Sequence, residues 1–184
     1  MSVPAALKFT YEDYALLPED RRYEVIDGEL FLTPAPTLMH QKTKMRLVRI
    51  LEDFASQYAS GTVVDAPFDV LLSRHDIMQP DILFVSSQRR AVLGEKFAQG
   101  APDLVVEVLS PSTENRDRVA KAKRYATFGV REMWIVDPGA QTIEVLVNSE
   151  EGFRREGVYG EADTVRLVSL PGLEFPAAPV FRPI

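Results

Sequence analysis

Apolar and polar positions along this chain change period several times, and each change marks a predicted element. Residues 39–58 place Met45, Val48, Leu51, Phe54 and Ala55 three or four apart, the stripe of a long helix with one buried face. Strands are predicted next at 62–72 (TVVDAPFDVLL), 81–85 (DILFV) and 103–109 (DLVVEVL), runs rich in β-branched and aromatic residues. A second helix, about 114–128, leads through Gly129 into the strand EMWIVD, which Asp137-Pro138 closes. Ahead of this series, TYEDYALLP predicts a short helix with Thr10 as N-cap, Asp13 in the capping-box position and Pro18 ending it. YEVIDGELFL then sets Asp27-Gly28 between two β-prone runs, a two-residue hairpin turn that pairs Glu24 with Phe31. Behind the series, TIEVLV, GFRREGVY and VRLVSL predict a C-terminal antiparallel set. From residue 39 to 137 the order is α-β-β-β-α-β, flanked by an N-terminal helix plus hairpin and by C-terminal β additions. Such mixing predicts an α/β fold, a sheet sandwiched by helices.

With 184 residues and 46% hydrophobic content the chain can bury a core of ordinary size, and one domain over 1–184 is expected. Neither repeat nor Gly/Ser linker interrupts it. The formal charge of −6 argues against indiscriminate binding to polyanions and leaves room for a local basic groove. No cysteine is present, which excludes disulfides and thiolate zinc sites. The start, MSVPAALKFTYEDY, lacks a signal peptide's apolar run, and the apolar runs elsewhere fall far short of the roughly 20 residues of a membrane helix. The expectation is a soluble, cytoplasmic protein with no membrane partner.

One residue does not suit its strand. Glu107 stands among Leu104, Val105, Val106, Val108 and Leu109, and burying an unpaired carboxylate costs several kcal/mol. Side chains alternate, so Asp103, Val105, Glu107 and Leu109 share a face. The bland reading pairs Glu107 with an arginine or a backbone donor. The functional reading needs a second acid, and Asp103, about 13 Å away along the strand, is too far to share an ion. Asp81, entering a neighbouring strand behind Pro80, would lie about 5 Å away laterally. Two acids so placed offer the hard oxygen ligands that magnesium or manganese prefers. Lys121 can supply a cation, because the strand from Glu107 to its end and the helix back from 114 to 121 each span about 10 Å. Its alternative is one more solvated lysine in DRVAKAKRY.

These residues in this order resemble the Uma-two family of restriction-endonuclease-like proteins, in the PD-(D/E)XK nuclease superfamily. The carriers are YEVIDGEL with PAP after it, His40, QPDILFV, APDLVVEVLSPST, Asp117 followed by Lys121 and Tyr125, and GVREMWIVDP. The resemblance spans most of the chain and implies a restriction-endonuclease-like core with a mixed sheet. It makes Asp81 the motif aspartate, Glu107 the acid of the (D/E)XK element, the Val108 carbonyl a further metal ligand and Lys121 the motif lysine, moved onto the helix because Leu109 stands two residues after Glu107. Glu24 is implied as a further acid at the site and His40 as a polar neighbour, against the plain readings of an exposed strand residue and a capping or core histidine. Tyr125 would hold Lys121 or merely pack, and Asp103 would bond backbone at the strand entrance. Ser110 and Ser112 would cap the second helix, and Ser110 can also touch the site. Trp134 and Tyr23 read as core.

The implied activity is magnesium- or manganese-assisted hydrolysis of DNA phosphodiester bonds by an endonuclease. Lys42, Lys44, Arg46 and Arg49 on the first long helix, and Arg116, Arg118, Lys121, Lys123 and Arg124 on the second, could face a phosphate backbone or simply be solvated. The resemblance also admits a homodimer that cuts two strands. The rival from another class is a non-catalytic module that binds nucleic acid or a protein partner. Hydrolysis of another phosphate ester stays open as well, since fold does not fix substrate.

Overall fold

The computed structural model describes residues 7–18, 20–58, 60–111 and 114–183. Helix α1 (Tyr11–Tyr14) opens at Thr10, whose side chain accepts from the Asp13 N–H while the Asp13 carboxylate accepts from the Thr10 N–H. It ends four residues short of Pro18. Strands β1 (Tyr23–Ile26) and β2 (Glu29–Leu32) form the expected hairpin, with Glu24 across from Phe31. Asp27 and Gly28 turn it with φ of 50° and 81°, the doubly left-handed geometry of a type I′ turn.

Helix α2 (Leu38–Tyr58) buries His40, Thr43, Leu47, Leu51, Phe54 and Ala55. Met45, expected on that face, is 56% exposed. The buried stripe continues towards the N-terminus through a threonine and a histidine, where hydrophobicity gives no signal.

The strand expected at 62–72 is two strands in different sheets. β3 (Gly61–Asp65) and β4 (Asp69–Ser73) are separated at Ala66-Pro67, since a proline has no N–H to offer a ladder. There follow β5 (Asp76–Met78), β6 (Ile82–Ser86), β7 (Phe97–Gln99) and β8 (Leu104–Val108). The predicted second helix contains a π-helical turn, Arg116–Lys121, that runs into α3 (Ala122–Thr127). Then come β9 (Glu132–Asp137), β10 (Thr142–Ser149), β11 (Gly152–Tyr159), β12 (Thr164–Arg166) and β13 (Glu174–Pro176). The run VRLVSL is therefore strand only at its beginning.

Among the described residues the strands make three sheets: β11-β10-β9-β8-β6-β3, β2-β1-β5-β4-β7 and the pair β12-β13. The largest is mixed, with β8 and β9 parallel and its other neighbours antiparallel. Taken as α2, β3, β6, β8, the π-turn with α3, and β9, this is the α-β-β-β-α-β order that the residue pattern predicts.

Alternation on β8 divides the interior. Leu104, Val106 and Val108 pack with Leu47, Leu51 and Phe54 of α2 and with Phe175, Val180 and Phe181 from the C-terminal end. Val105 and Leu109 pack with Ala122, Tyr125, Met133 and Ile135 on the opposite side, the side to which Glu107 belongs. Among the described residues no helix is long and apolar enough to cross a membrane.

Candidate active site

The pairing of β6 with β8 sets Ile82 against Val106, and the next step of the same antiparallel register brings Asp81 across from Glu107. Asp81 is anchored at one oxygen: Oδ2 accepts from the Val108 N–H at 2.8 Å and lies 3.1 Å from His40 Nε2. That bond shows the Val108 main chain facing the β6 side, so its carbonyl faces that side as well.

Glu107 is 3% exposed, and its Oε1 accepts from the Tyr125 hydroxyl at 2.8 Å and from Lys121 Nζ at 2.7 Å. Lys121 also lies 2.8 Å from Glu24 Oε1 and 3.6 Å from Asp117 Oδ1. Glu24 Oε1 accepts in addition from the Gln79 N–H at 2.9 Å, and its Oε2 lies 3.7 Å from Arg116. The helix does run back along the strand, so lysine and glutamate come level. Its π-helical turn buries both Asp117 and Lys121 against the sheet; such wide turns occur preferentially at functional sites.

Burial pushes the Glu107 carboxyl well above the usual range. The Lys121 ammonium opposes this, while Asp117, Asp81 and Glu24 push the same way as burial. Burial would lower Lys121, but Glu107 and Glu24 outweigh it and hold the ammonium well above its ordinary value. Burial and the Glu107 charge together raise Tyr125, keeping it a donor.

The side chains open on a cavity of about 700 Å³ lined by Glu24, Asp81, Glu107, Lys121, Arg116 and His40, among others. Glu24, Asp81, Glu107 and Asp117 converge there among the cations of Lys121 and Arg116. The carboxylate and carbonyl oxygens are donors of the kind a hard divalent cation prefers. Among the described residues no three of the His, Asp and Glu side chains form a ready cage around one point. An ion here would take Asp81, Glu107 and the Val108 carbonyl and complete its shell with water or phosphate, as magnesium commonly does.

Comparison with known proteins bears on the family and the fold. The Uma2 family model, described as "Putative restriction endonuclease", matches residues 10–178. The chain belongs to the Uma2 family. No curated protein matches it. Its fold is similar to a crystal structure from Anabaena variabilis ATCC 29413, of "a putative nuclease belonging to DUF820", with a TM-score of 0.78 at 20% identity, covering 94% of this chain and 97% of that one. The architecture is thus restriction-endonuclease-like, as the family resemblance of the sequence implies.

In this Uma2 chain the structure brings Asp81, Glu107, Val108, Lys121, Glu24 and His40 to one place, although they come from five separate segments. Glu24 is 1% exposed, so the plain reading of an exposed strand residue does not hold. Tyr125 grips Glu107 through its hydroxyl. Asp103 stands apart, accepting from the Ser86 N–H and pairing with Arg89 and Arg131. Ser110 lines the cavity and its carbonyl accepts from the Glu114 N–H; Ser112 lies outside the described residues. Trp134 is fully buried, whereas Tyr23 is only half-buried. Sequence reasoning named Asp117 only as a family marker and Arg116 only as part of a basic cluster. The four-residue spacing of Asp117 and Lys121, which sets them on one helix face, was the available signal.

Proposed function

We propose that this Uma2 protein is a metal-dependent endonuclease that hydrolyses DNA phosphodiester bonds, with residues 1–184 acting as one restriction-endonuclease-like domain. The observation that carries the reading is the juxtaposition across β6 and β8: Asp81 faces Glu107, and a buried lysine sits 2.7 Å from that glutamate beside an open cavity. Magnesium or manganese, held by Asp81, Glu107 and the Val108 carbonyl, would lower the pKa of a water and stabilise charge growing on the phosphate. The chain's own residues prepare this. His40 and the Val108 N–H fix the Asp81 carboxylate, and Tyr125 fixes that of Glu107. Glu24, held by the Gln79 N–H, keeps Lys121 aimed at the reacting centre, where its ammonium orients the water or offsets phosphate charge.

DNA as substrate is supported by basic side chains at the cavity, Arg21, Arg22 and Arg116. The helix clusters contribute less than their sequence suggests. Arg118 pairs with Glu114 and Glu144, Arg124 with Asp76, and Arg46 donates to the Val180 and Arg182 carbonyls.

The test is cleavage of supercoiled plasmid with magnesium or manganese by wild type, Glu107→Ala and Asp81→Ala. Nicking by wild type and loss in both variants is expected; equal behaviour of all three across metals sinks the reading. Calorimetric titration with manganese checks the site separately, since either substitution should abolish a shared binding event. Sedimentation with and without DNA tests pairing of two copies.

The non-catalytic alternative draws on one feature, the direct bonding of Lys121 to Glu107 and Glu24, which closes a charge network without an ion. Under it, wild type binds DNA, cuts none and gives no manganese heat.

A further inference from the structure

We propose that Arg116 is the substrate-phosphate subsite of this cavity, receiving a non-bridging phosphate oxygen beside Lys121. The inference rests on the nuclease reading for the identity of its ligand. Three arginines lie on the π-turn and α3, and their partners separate them. Arg118 donates to Glu114 at 3.0 Å and to Glu144 at 2.8 Å. Arg124 forks onto Asp76 at 2.7 and 2.6 Å. Among the described residues Arg116 has no comparable engagement: its ion pair with Glu24 Oε2 is long, at 3.7 Å, and its Nε is buried without a hydrogen-bond partner. A guanidinium carries five donors in a rigid fork, and an unmade one in a buried position is costly. Here the unmade donor belongs to a side chain that lines the cavity.

The side chain is nevertheless held in place. Its guanidinium lies 5.4 Å from the centroid of the Phe31 ring, and only 15% of the side chain is exposed. Phe31 is the residue directly across from Glu24 in the hairpin, so one strand pair supplies both the ring beneath the guanidinium and the acid beside it. Lys44, another cation of the cavity, is taken by Asp65 at 3.0 Å and the Ala66 carbonyl at 3.1 Å. Arg116 is therefore the fixed, incompletely paired fork next to Lys121, and a tetrahedral phosphate is the ligand whose oxygens suit such a fork.

The experiment has a binding arm and a cleavage arm. Fluorescence anisotropy of a labelled single-stranded oligonucleotide is followed against salt in chelator, and plasmid nicking is followed in manganese. Removing one phosphate contact from a single strand should reduce the slope of log K against log salt by about 0.7. Arg116→Ala should show that drop, bind about ten-fold more weakly, and cut at least about a hundred-fold more slowly, the scale of losing one preorganised donor to a reacting centre. Its manganese affinity should stay unchanged. Arg116→Lys should keep the slope yet cut poorly, having charge without the fork; Arg118→Ala should do neither. An unchanged slope in Arg116→Ala, or a slope change no larger than that of Arg118→Ala, overturns the proposal. If the alanine variant does not fold, Arg116→Lys decides by cleavage: wild-type rates overturn it, a large loss with a normal melting transition upholds it. If wild type cuts nothing, the nuclease reading fails, and the slope still decides whether Arg116 takes a phosphate.

Discussion

Lys121, 2% exposed, touches the carboxylates of Glu107, Glu24 and Asp117, and its removal would leave buried acids facing one another. Lys121→Met should cost about 3–5 kcal/mol in urea unfolding, the usual result of stranding buried charge. Adding Glu107→Gln to it should restore part of that loss, because the amide needs no counter-ion, and a double-mutant cycle reads the coupling. Asp103 provides a residue whose effect follows pH. Burial would raise its carboxyl, but the Ser86 N–H and Arg89 outweigh burial and hold it below the usual carboxylate range. A depressed acid contributes stability that is present above its unfolded pKa, near 4, and lost as pH falls through the lower folded value. Asp103→Asn should therefore destabilise by about 1–3 kcal/mol at pH 7, with the gap to wild type closing in acid; a gap independent of pH would refute the linkage.

At the scale of elements, α3 is tied to β5 by the Arg124 fork on Asp76, a carboxylate with 0% exposure. Arg124→Met should cost about 3–5 kcal/mol and speed amide exchange in both elements, while Arg74→Ala, at an exposed pair with Glu12, should stay within about 0.5 kcal/mol of wild type. The edge strand β3 has its own constraint. A Cβ built on Gly61 would stand 2.3 Å from the Val85 carbonyl oxygen and 2.6 Å from the Phe84 ring. Gly61→Ala must then push β3 off β6, at about 1–3 kcal/mol for overpacking, measurable as a lower melting temperature. An unshifted melt would show that the edge yields without cost.

Over the whole molecule, the C-terminal end closes the core. Val165, Leu170, Leu173, Phe175, Ala177, Val180 and Phe181 are buried with α2 and β8. The larger of these contribute about 1.5–3 kcal/mol each on burial, together comparable with the roughly 5–15 kcal/mol that keeps a domain folded. A chain ended after Gly160 should therefore lose its cooperative unfolding transition in calorimetry; a retained transition would show that the remaining sheet is self-sufficient. The same scale governs charge. A formal charge of −6 coexists with basic side chains lining the cavity, so under the nuclease reading DNA binding should weaken steeply with salt despite the acidic total.

Periodicity in the sequence determined the long helix, the hairpin turn at Asp27-Gly28, strands β6, β8 and β9, and the α-β-β-β-α-β order, because each depends on residues near one another in the chain. The oddity of Glu107 was also legible, since alternation alone places it in apolar company. Distance along a strand was enough to set Asp103 aside and to bring Lys121 level with Glu107. Tertiary structure decided the rest. Three-residue strands β5 and β7 carry too few positions for a period, and the break at Ala66-Pro67 separates two sheets that no local pattern distinguishes. Met45 read as core and lies outside, since the register of α2 is set by what it packs on. Arg116, Arg118 and Arg124 look alike in one basic run. What distinguishes them is which acids the β-sheets bring opposite each, and for Arg116 that is a loosely paired Glu24, a Phe31 ring and a cavity, which only the folded chain assembles.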